Sequence, residues 1–166
     1  QSEIDSQSDI IRIKRIKNKG DYSFKKSYVD TLIKAYRDGK PCINYVLFPN
    51  DENCVYGLKI FEELLETERG RNLVTTDVRV SYILYEHCSI MYDRLSYLKE
   101  KRYIRLDSKR YEELESKCIK MVNTARALNL MVVKNIIGKS DDKKVLSELE
   151  KLYNAEKEFY YLNYFL

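Results

Sequence analysis

The sequence predicts an all-α fold: a helical bundle with a long antiparallel helical hairpin and a flexible basic N-terminal arm. Hydrophobic residues make up 44% of the 166-residue chain, which is enough to build the core of one domain. The chain has only five glycines and two prolines, fewer than a turn-rich sandwich or barrel requires. Apolar residues also recur at steps of three and four over two long segments, which is the spacing of amphipathic helices.

The chain divides into three parts on composition and charge. Residues 1–22 form the basic arm, residues 23–138 the helical core with the hairpin, and residues 139–166 a C-terminal helix with an aromatic tail. No apolar run approaches the roughly 20 residues that cross a bilayer, so we expect a soluble intracellular protein with no membrane partner. Because the chain begins at Gln1 rather than at methionine, we also expect it to belong to a longer or processed product.

The arm contains the segment IIRIKRIKNKG, in which isoleucines are interleaved with basic side chains. A formal net charge of +4 is too small to indicate a nucleic-acid-binding protein, so the local clustering of charge matters more. One interpretation is an arm that neutralises DNA phosphates, and the other is an amphipathic segment with a solvated basic face. The candidate DNA-binding residues of the arm are Arg12, Lys14, Arg15, Lys17 and Lys19.

Two helices are predicted before the hairpin. The first has Ser23 as its N-cap and Gly39 as its C-terminal stop, because serine caps helix starts and glycine follows helix ends. A loop that contains both prolines follows it. The second helix runs from about Val55 to Arg69 and ends at Gly70, and its apolar residues keep helical spacing.

The hairpin consists of two long helices with matching apolar seams. Thr75 or Thr76 caps the first of them, and Asp77 in its first turn complements the helix dipole. Its seam follows steps of three and four residues through Val80, Leu84, His87 or Cys88, Met91, Leu95 and Leu98. The second begins near Ser108, and its seam is Tyr111, Leu114, Cys118, Met121, Ala125 and Leu128. A short link between two such helices favours an antiparallel pair.

A last helix follows an apolar segment beyond Leu130 and is capped by Ser140 or Asp141. It runs through Val145, Leu149, Leu152, Tyr153 and Phe159. The tail EFYYLNYFL is dense in aromatic residues, which at a chain end indicates docking onto a neighbouring element or onto another subunit.

The chain contains no spacing typical of a nucleotide, zinc or covalent catalytic motif, so we expect no catalytic residues, no metal site and no cofactor. His87 is the only histidine, and on a helix Cys88 points about 100° away from it, so the two cannot act as a local pair. The segment IIGKS imitates a phosphate-binding loop, but Val133 stands where that loop requires glycine. We expect the four cysteines to be free, buried thiols.

The second predicted helix carries an acidic face. Clustered carboxylates can hold Mg²⁺, and a small metal-dependent enzyme is one hypothesis, but an exposed acidic helix face is the commoner explanation, so we expect no metal to bind. The residues concerned are Glu62, Glu63, Glu66 and Glu68.

The link KEKRYIRLDSKR between the two long helices holds six basic residues and Tyr103. Basic side chains beside an aromatic ring suit phosphate contact and base stacking, whereas a merely solvated hairpin tip is the alternative. The candidate DNA-binding residues of this link are Lys99, Lys101, Arg102 and Arg105.

The order of parts from Gly57 to Gly138 combines a short helix with an apolar-aromatic pair, a turn, a capped helix start, a long aromatic-rich helix, a short connection and a second long helix. The residues that carry this pattern are Ile60, Phe61, Leu73, Thr76, Asp77, Tyr82, Tyr85, Tyr92, Tyr103, Ile104, Ala127, Leu128 and Leu130. The pattern resembles the terminase small subunits of tailed bacteriophages, in the branch whose helical hairpins assemble into rings. The chain departs from that family in having no glycine in the connection.

The resemblance implies a non-enzymatic packaging factor that binds double-stranded viral DNA in the host cytoplasm. It also implies a homo-oligomeric ring that recruits or regulates the large terminase subunit, with the hairpin of Thr76 to Leu130 as the oligomer interface. The alternative hypothesis is a helical adaptor that engages another protein through a tyrosine-rich surface and has no nucleic-acid role. The candidate interface residues are Tyr82, Tyr85, Tyr92, Tyr160, Tyr161 and Phe165.

Overall fold

A computed structural model describes residues 25–41, 54–104 and 106–162, and these residues contain six helices and no strand. The predicted all-α fold is therefore confirmed. None of the helices in these ranges is long and apolar enough to cross a membrane. The helices are α1 (Lys26–Arg37), α2 (Lys59–Glu66), α3 (Glu68–Thr76), α4 (Val78–Glu100), α5 (Ser108–Ile136) and α6 (Asp142–Tyr160).

The predicted hairpin is present as α4 and α5, and α6 packs along α5 to complete a three-helix bundle. The hydroxyl of Ser81, which is fully buried, donates a hydrogen bond of 2.9 Å to the side-chain oxygen of Asn129 and so fixes the register of the hairpin. All six predicted seam residues of α5 are buried, and Val132 extends the seam. Seam residues buried on α4 are Leu84, Cys88 and Leu95.

The prediction that Gly70 ends the second helix is wrong, because the chain forms two helices that meet at Thr67. The Thr67 hydroxyl accepts a hydrogen bond of 2.9 Å from the backbone N–H of Gly70 and thereby caps α3. Gly70 lies inside α3, where a Cβ atom would overlap the carbonyl oxygen of Glu63. The glycine therefore permits the close approach of α2 and α3 rather than stopping a helix.

Helix starts differ from the prediction in α1, α2 and α4, and α2 begins at Lys59 rather than near Val55. Asp77, not Thr75 or Thr76, is the N-cap of α4, and its carboxylate accepts a hydrogen bond of 2.9 Å from the backbone N–H of Arg79. Both threonines instead lie in the last turn of α3, where their hydroxyls donate to backbone carbonyls one turn earlier. The N-cap of α1 is Lys25 rather than Ser23, which lies outside the described residues.

The long second helix of the hairpin extends further than its seam predicted. The apolar segment after Leu130 continues α5 to Ile136, and the predicted stop at Gly138 follows. Of the two predicted caps of α6, Asp141 is the N-cap, with its carboxylate 3.0 Å from the N–H of Lys144.

Three helices end in the same backbone motif, with a residue of positive φ immediately after the C-cap. Gly39 and Gly138 take this position after α1 and α5, with φ values of +61° and +71°. After α4 the position is held by Arg102 at φ +56°. The N–H of Tyr103 then donates to the carbonyl of Leu98, which satisfies an end carbonyl of the helix. Arg102 thus holds a conformation that glycine adopts at lower cost.

Replacing Arg102 with glycine should therefore stabilise the protein. We expect Arg102→Gly to raise the free energy of unfolding by about 0.5 to 1 kcal/mol, after the greater backbone entropy of glycine in the unfolded chain is subtracted. Urea unfolding followed by circular dichroism measures this change. The matched control is Gly138→Ala, where an added Cβ meets no atom within 4 Å, so that only the conformational cost acts and stability falls. A loss of stability in Arg102→Gly would contradict this account.

Candidate functional site

One side of the hairpin carries a stripe of apolar and aromatic residues that we call the hairpin face. On α5 the side toward α6 bears Lys117 and Lys120, which pair with Glu158 at 3.5 and 3.0 Å. Helical spacing places the stripe on the other side of α5 and on the adjoining flank of α4. The hairpin face consists of Tyr82, Tyr85, Tyr92, Ile119, Val122 and Val133.

The hairpin face is partly open to solvent. Tyr82 is 52% exposed, Ile119 42% and Val133 40%, whereas Tyr85, Tyr92 and Val122 are half-buried against the core. Exposed tyrosine and aliphatic side chains, with the exposed Arg126 among them, match the composition of interface centres. The face can bury apolar area against a partner without any change of fold.

The remaining candidate interface residues lie elsewhere. Tyr160 is only 3% exposed and packs inside the chain, so it has almost no surface to offer a partner. The tail therefore docks onto its own core at this position. Tyr161 is 58% exposed and lies under the guanidinium of Arg37, 5.4 Å from the ring centroid. Phe165 lies outside the described residues.

The basic link at the hairpin tip is partly occupied by contacts within the chain. The ammonium of Lys99 lies 3.6 Å from the ring centroid of Tyr111, and that of Lys101 pairs with Glu100 at 2.6 Å. Arg102 is exposed at the tip. Arg105 and all five basic residues predicted for the arm lie outside the described residues. Within the described chain, the tip presents a small positive surface rather than a broad basic groove.

A buried polar cluster lies where α1 crosses the bundle, and sequence reasoning missed its central residue. Glu156 is fully buried on α6, and both of its carboxylate oxygens have partners. The hydroxyl of Tyr36 donates to one oxygen at 2.7 Å, and the thiol of Cys88 donates to the other at 3.4 Å. The signal was present in the sequence, because Glu156 falls between Leu152 and Phe159 on the apolar stripe of the last helix.

Aromatic stacking surrounds this carboxylate. The ring of Tyr36 stacks on His87 at 5.1 Å between centroids and lies 4.5 Å from the ring of Tyr160. The hydroxyl of Tyr160 is 3.2 Å from Nε2 of His87. His87 and Cys88 therefore have different hydrogen-bond partners, as their helical spacing predicted. The cluster joins α1, α4 and α6 through polar contacts.

A close backbone contact fixes α1 in this position. Gly57 has φ +57°, and a Cβ atom there would overlap the carbonyl oxygen of Tyr36. That same carbonyl accepts a hydrogen bond of 3.0 Å from the N–H of Leu58. The chain entering α2 thus holds the end of α1 beside the bundle, with the Tyr36 ring over Glu156.

Burial drives the titration of the cluster toward uncharged forms. It raises the pKa of Glu156 from 4.5 to about 7, although the hydrogen bonds from Tyr36 and Cys88 favour the carboxylate. Burial, assisted by the charge of Arg94, lowers the pKa of His87 from 6.5 to about 4. Burial also raises the pKa of the Cys88 thiol. A thiol without thiolate character is a poor nucleophile, so the cluster is chemically suited to holding α1 rather than to covalent chemistry.

The other candidate chemical groups are dispersed. Cys118 is a buried free thiol as predicted, whereas Cys54 is exposed and Cys42 lies outside the described residues. Within the described ranges, no group of three or more histidine, cysteine, aspartate or glutamate side chains is placed to hold a metal ion. The acidic residues of α2 and α3 are exposed, and Glu62 accepts a hydrogen bond of 2.6 Å from Tyr153.

Comparisons with protein-family models, curated proteins and solved structures find no match to this chain. The geometry of the hairpin face, the tip and the buried cluster therefore carries the functional argument.

The opposite pKa shifts of Glu156 and His87 make a paired prediction about stability and pH. As the pH rises from about 4.5 to 7, Glu156 loses its proton in the unfolded chain but keeps it in the folded chain. The ionised group favours the unfolded chain, so Glu156 makes the free energy of unfolding fall over this range. Between about 4 and 6.5 His87 does the reverse, because the unfolded chain keeps its proton longer. The two contributions oppose each other in the wild type.

Single substitutions should separate them. In Glu156→Gln, we expect the free energy of unfolding to rise as the pH increases from about 4 to 6.5, because only His87 still titrates. In His87→Gln, we expect the free energy of unfolding to fall as the pH increases from about 4.5 to 7, because only Glu156 still titrates. Each slope should approach about 1.4 kcal/mol per pH unit. Denaturant unfolding at half-unit pH steps measures both. Glu150→Gln, which replaces an exposed carboxylate on the same helix, is the control. Parallel curves for the wild type and both variants would refute the assignment.

Proposed function

We propose that this chain is a non-enzymatic assembly subunit that associates with its own copies and binds double-stranded DNA, in the manner implied by its resemblance to terminase small subunits. The observation that carries the proposal is the partly exposed hairpin face on a helical hairpin whose register is fixed. In this proposal the assembly forms a ring in the host cytoplasm and recruits or regulates the large terminase subunit.

A ring requires two different contact surfaces on each subunit, because a self-complementary patch closes a dimer. We assign the second surface to a stripe on the outer side of α4, whose residues are spaced seven positions apart. The stripe consists of Ile83, which is 65% exposed, Ile90, which is 45% exposed, and Tyr97, which is 52% exposed. The hairpin face of one subunit would pack on this outer stripe of the next.

DNA binding in this proposal depends on the arm and the hairpin tip together. The clustered positive charges of the arm supply the phosphate contacts, and Arg102 with Lys101 adds charge at the tip. Because Lys99 is engaged by Tyr111 and Lys101 by Glu100, the tip contributes less than its sequence indicates. The arm therefore carries most of the expected affinity.

A second candidate function is the adaptor that binds an unrelated protein and no nucleic acid. The 52% exposure of Tyr82 on a face rich in tyrosine favours it, since tyrosine is enriched at interfaces of many kinds. Native mass and DNA binding separate the two functions.

Charge placed on either contact surface should break a ring. We expect the wild type to show the mass of several subunits by native mass spectrometry or light scattering, and both Val133→Glu and Ile90→Glu to reduce it to a monomer. A mixture of the two variants should form dimers, because each retains one intact surface. The matched control is Val55→Glu, which alters a valine of the same 40% exposure and should leave the assembly intact. A monomeric wild type at micromolar concentration would overturn this part of the proposal.

Duplex DNA affinity should fall steeply with salt. If all five basic residues of the arm contact phosphate, the slope of log K against log salt is about −4.5 in fluorescence anisotropy. Replacing the five with glutamine should leave only the smaller slope that the hairpin tip contributes. A matched pair of exposed lysines beyond the other end of α5, Lys139→Gln with Lys143→Gln, should change the slope little. A slope near zero for the wild type would favour the adaptor instead.

A further inference from the structure

A cavity of about 360 Å³ lies beneath α1, between that helix and the ends of α4 and α6. Its volume is within the range of small-molecule sites in proteins. Val29, Leu32 and Ile33 of α1 form one wall, while Leu95 and Leu98 of α4 form part of the opposite wall. Phe159 and the cluster residues Tyr36, His87 and Tyr160 also line the cavity. The walls are therefore almost entirely apolar.

Arg94 is the one basic residue among the described residues that line the cavity. Arg94 is exposed yet lines the cavity, and its guanidinium lies 3.8 Å from the sulfur of Met91. Its charge reaches the interior, since it helps burial to lower the pKa of His87 and offsets part of the rise that burial causes in the pKa of Tyr160. No carboxylate within the described residues forms an ion pair with Arg94. The mouth of the cavity thus offers positive charge beside an apolar interior.

We propose that this cavity is a binding site for a small amphiphilic anion, a monocarboxylate with an apolar body that lies under α1 and a carboxylate that pairs with Arg94. The positive charge of Arg94 selects an anionic group at one end of the ligand, and the aliphatic walls select an apolar body. The cavity does not suit a metal ion, because the only polar groups that line it within the described chain are tyrosine hydroxyls, one histidine and the cation Arg94. The site shares Tyr97 with the proposed outer stripe of α4, but the proposal does not rest on assembly or on DNA binding.

The chain's own C-terminal residues are the rival occupant. Tyr160 lines the cavity, and residues 163–166 begin three positions after it. They include the side chains of Tyr164, Phe165 and Leu166, which are apolar or aromatic. The test must therefore distinguish a free ligand from this segment.

Isothermal titration calorimetry with decanoate, below its aggregation threshold, tests the proposal on the full chain. We expect saturable one-to-one binding, weakened about tenfold or more in Arg94→Gln. Decanol, the neutral analogue, should bind the wild type and Arg94→Gln equally. Because Arg94 is exposed, this variant should fold normally, which thermal unfolding verifies. Leu32→Trp, which fills the cavity, should abolish binding of both compounds.

Three results would overturn the proposal. The first is the absence of saturable decanoate binding, and the second is equal decanoate affinity in the wild type and Arg94→Gln. The third is binding that appears only when residues 163–166 are deleted, which would identify this segment as the occupant. None of these results bears on the subunit mass or the salt dependence of DNA binding.

Discussion

Along α5, side chains at every third or fourth position are closed to solvent by α4 on one side and α6 on the other. Leu114, Met121 and Leu128 are completely buried, and this continuous apolar seam is the constraint on which the remaining packing depends. Burying such a residue contributes about 1.5 to 3 kcal/mol, so the seam far outweighs any surface ion pair. The short helices α2 and α3 then close over α5 and α6, and α1 is added last at the edge of the bundle.

The attachment of α1 uses a different kind of interaction. Its contact with the bundle depends on a buried carboxylate, and a buried charge is costly unless it is paired or neutralised. Glu156 meets this cost through the hydroxyl of Tyr36, the thiol of Cys88 and a raised affinity for a proton. The polar contacts specify one seating of α1, because sliding the helix by a turn would leave the carboxylate without its phenol partner.

The sequence predicted the parts of this structure that depend on periodicity. The hairpin seams were recoverable because apolar side chains at steps of three and four must face one neighbour. Contacts between distant segments were not recoverable. The pattern predicts a helix stop at Gly70, because the sequence does not show how closely this glycine approaches the backbone of Glu63. The pattern predicts the start of α4 one or two residues too early because threonine, like aspartate, is a common N-cap residue. Glu156 was overlooked as a polar residue on an apolar stripe, although only the fold supplies its partners from α1 and α4.

The hydrogen bond between Ser81 and Asn129 has a geometric consequence for the outside of the molecule. Sliding α4 along α5 by one turn would move it about 5.4 Å and separate those two side chains. The buried bond, together with the apolar seam, therefore maintains the angular and axial offset between tyrosines on one helix and aliphatic side chains on the other. A polar pair buried inside the hairpin thus helps to determine how the exposed side chains of the hairpin face are arranged toward a neighbouring molecule.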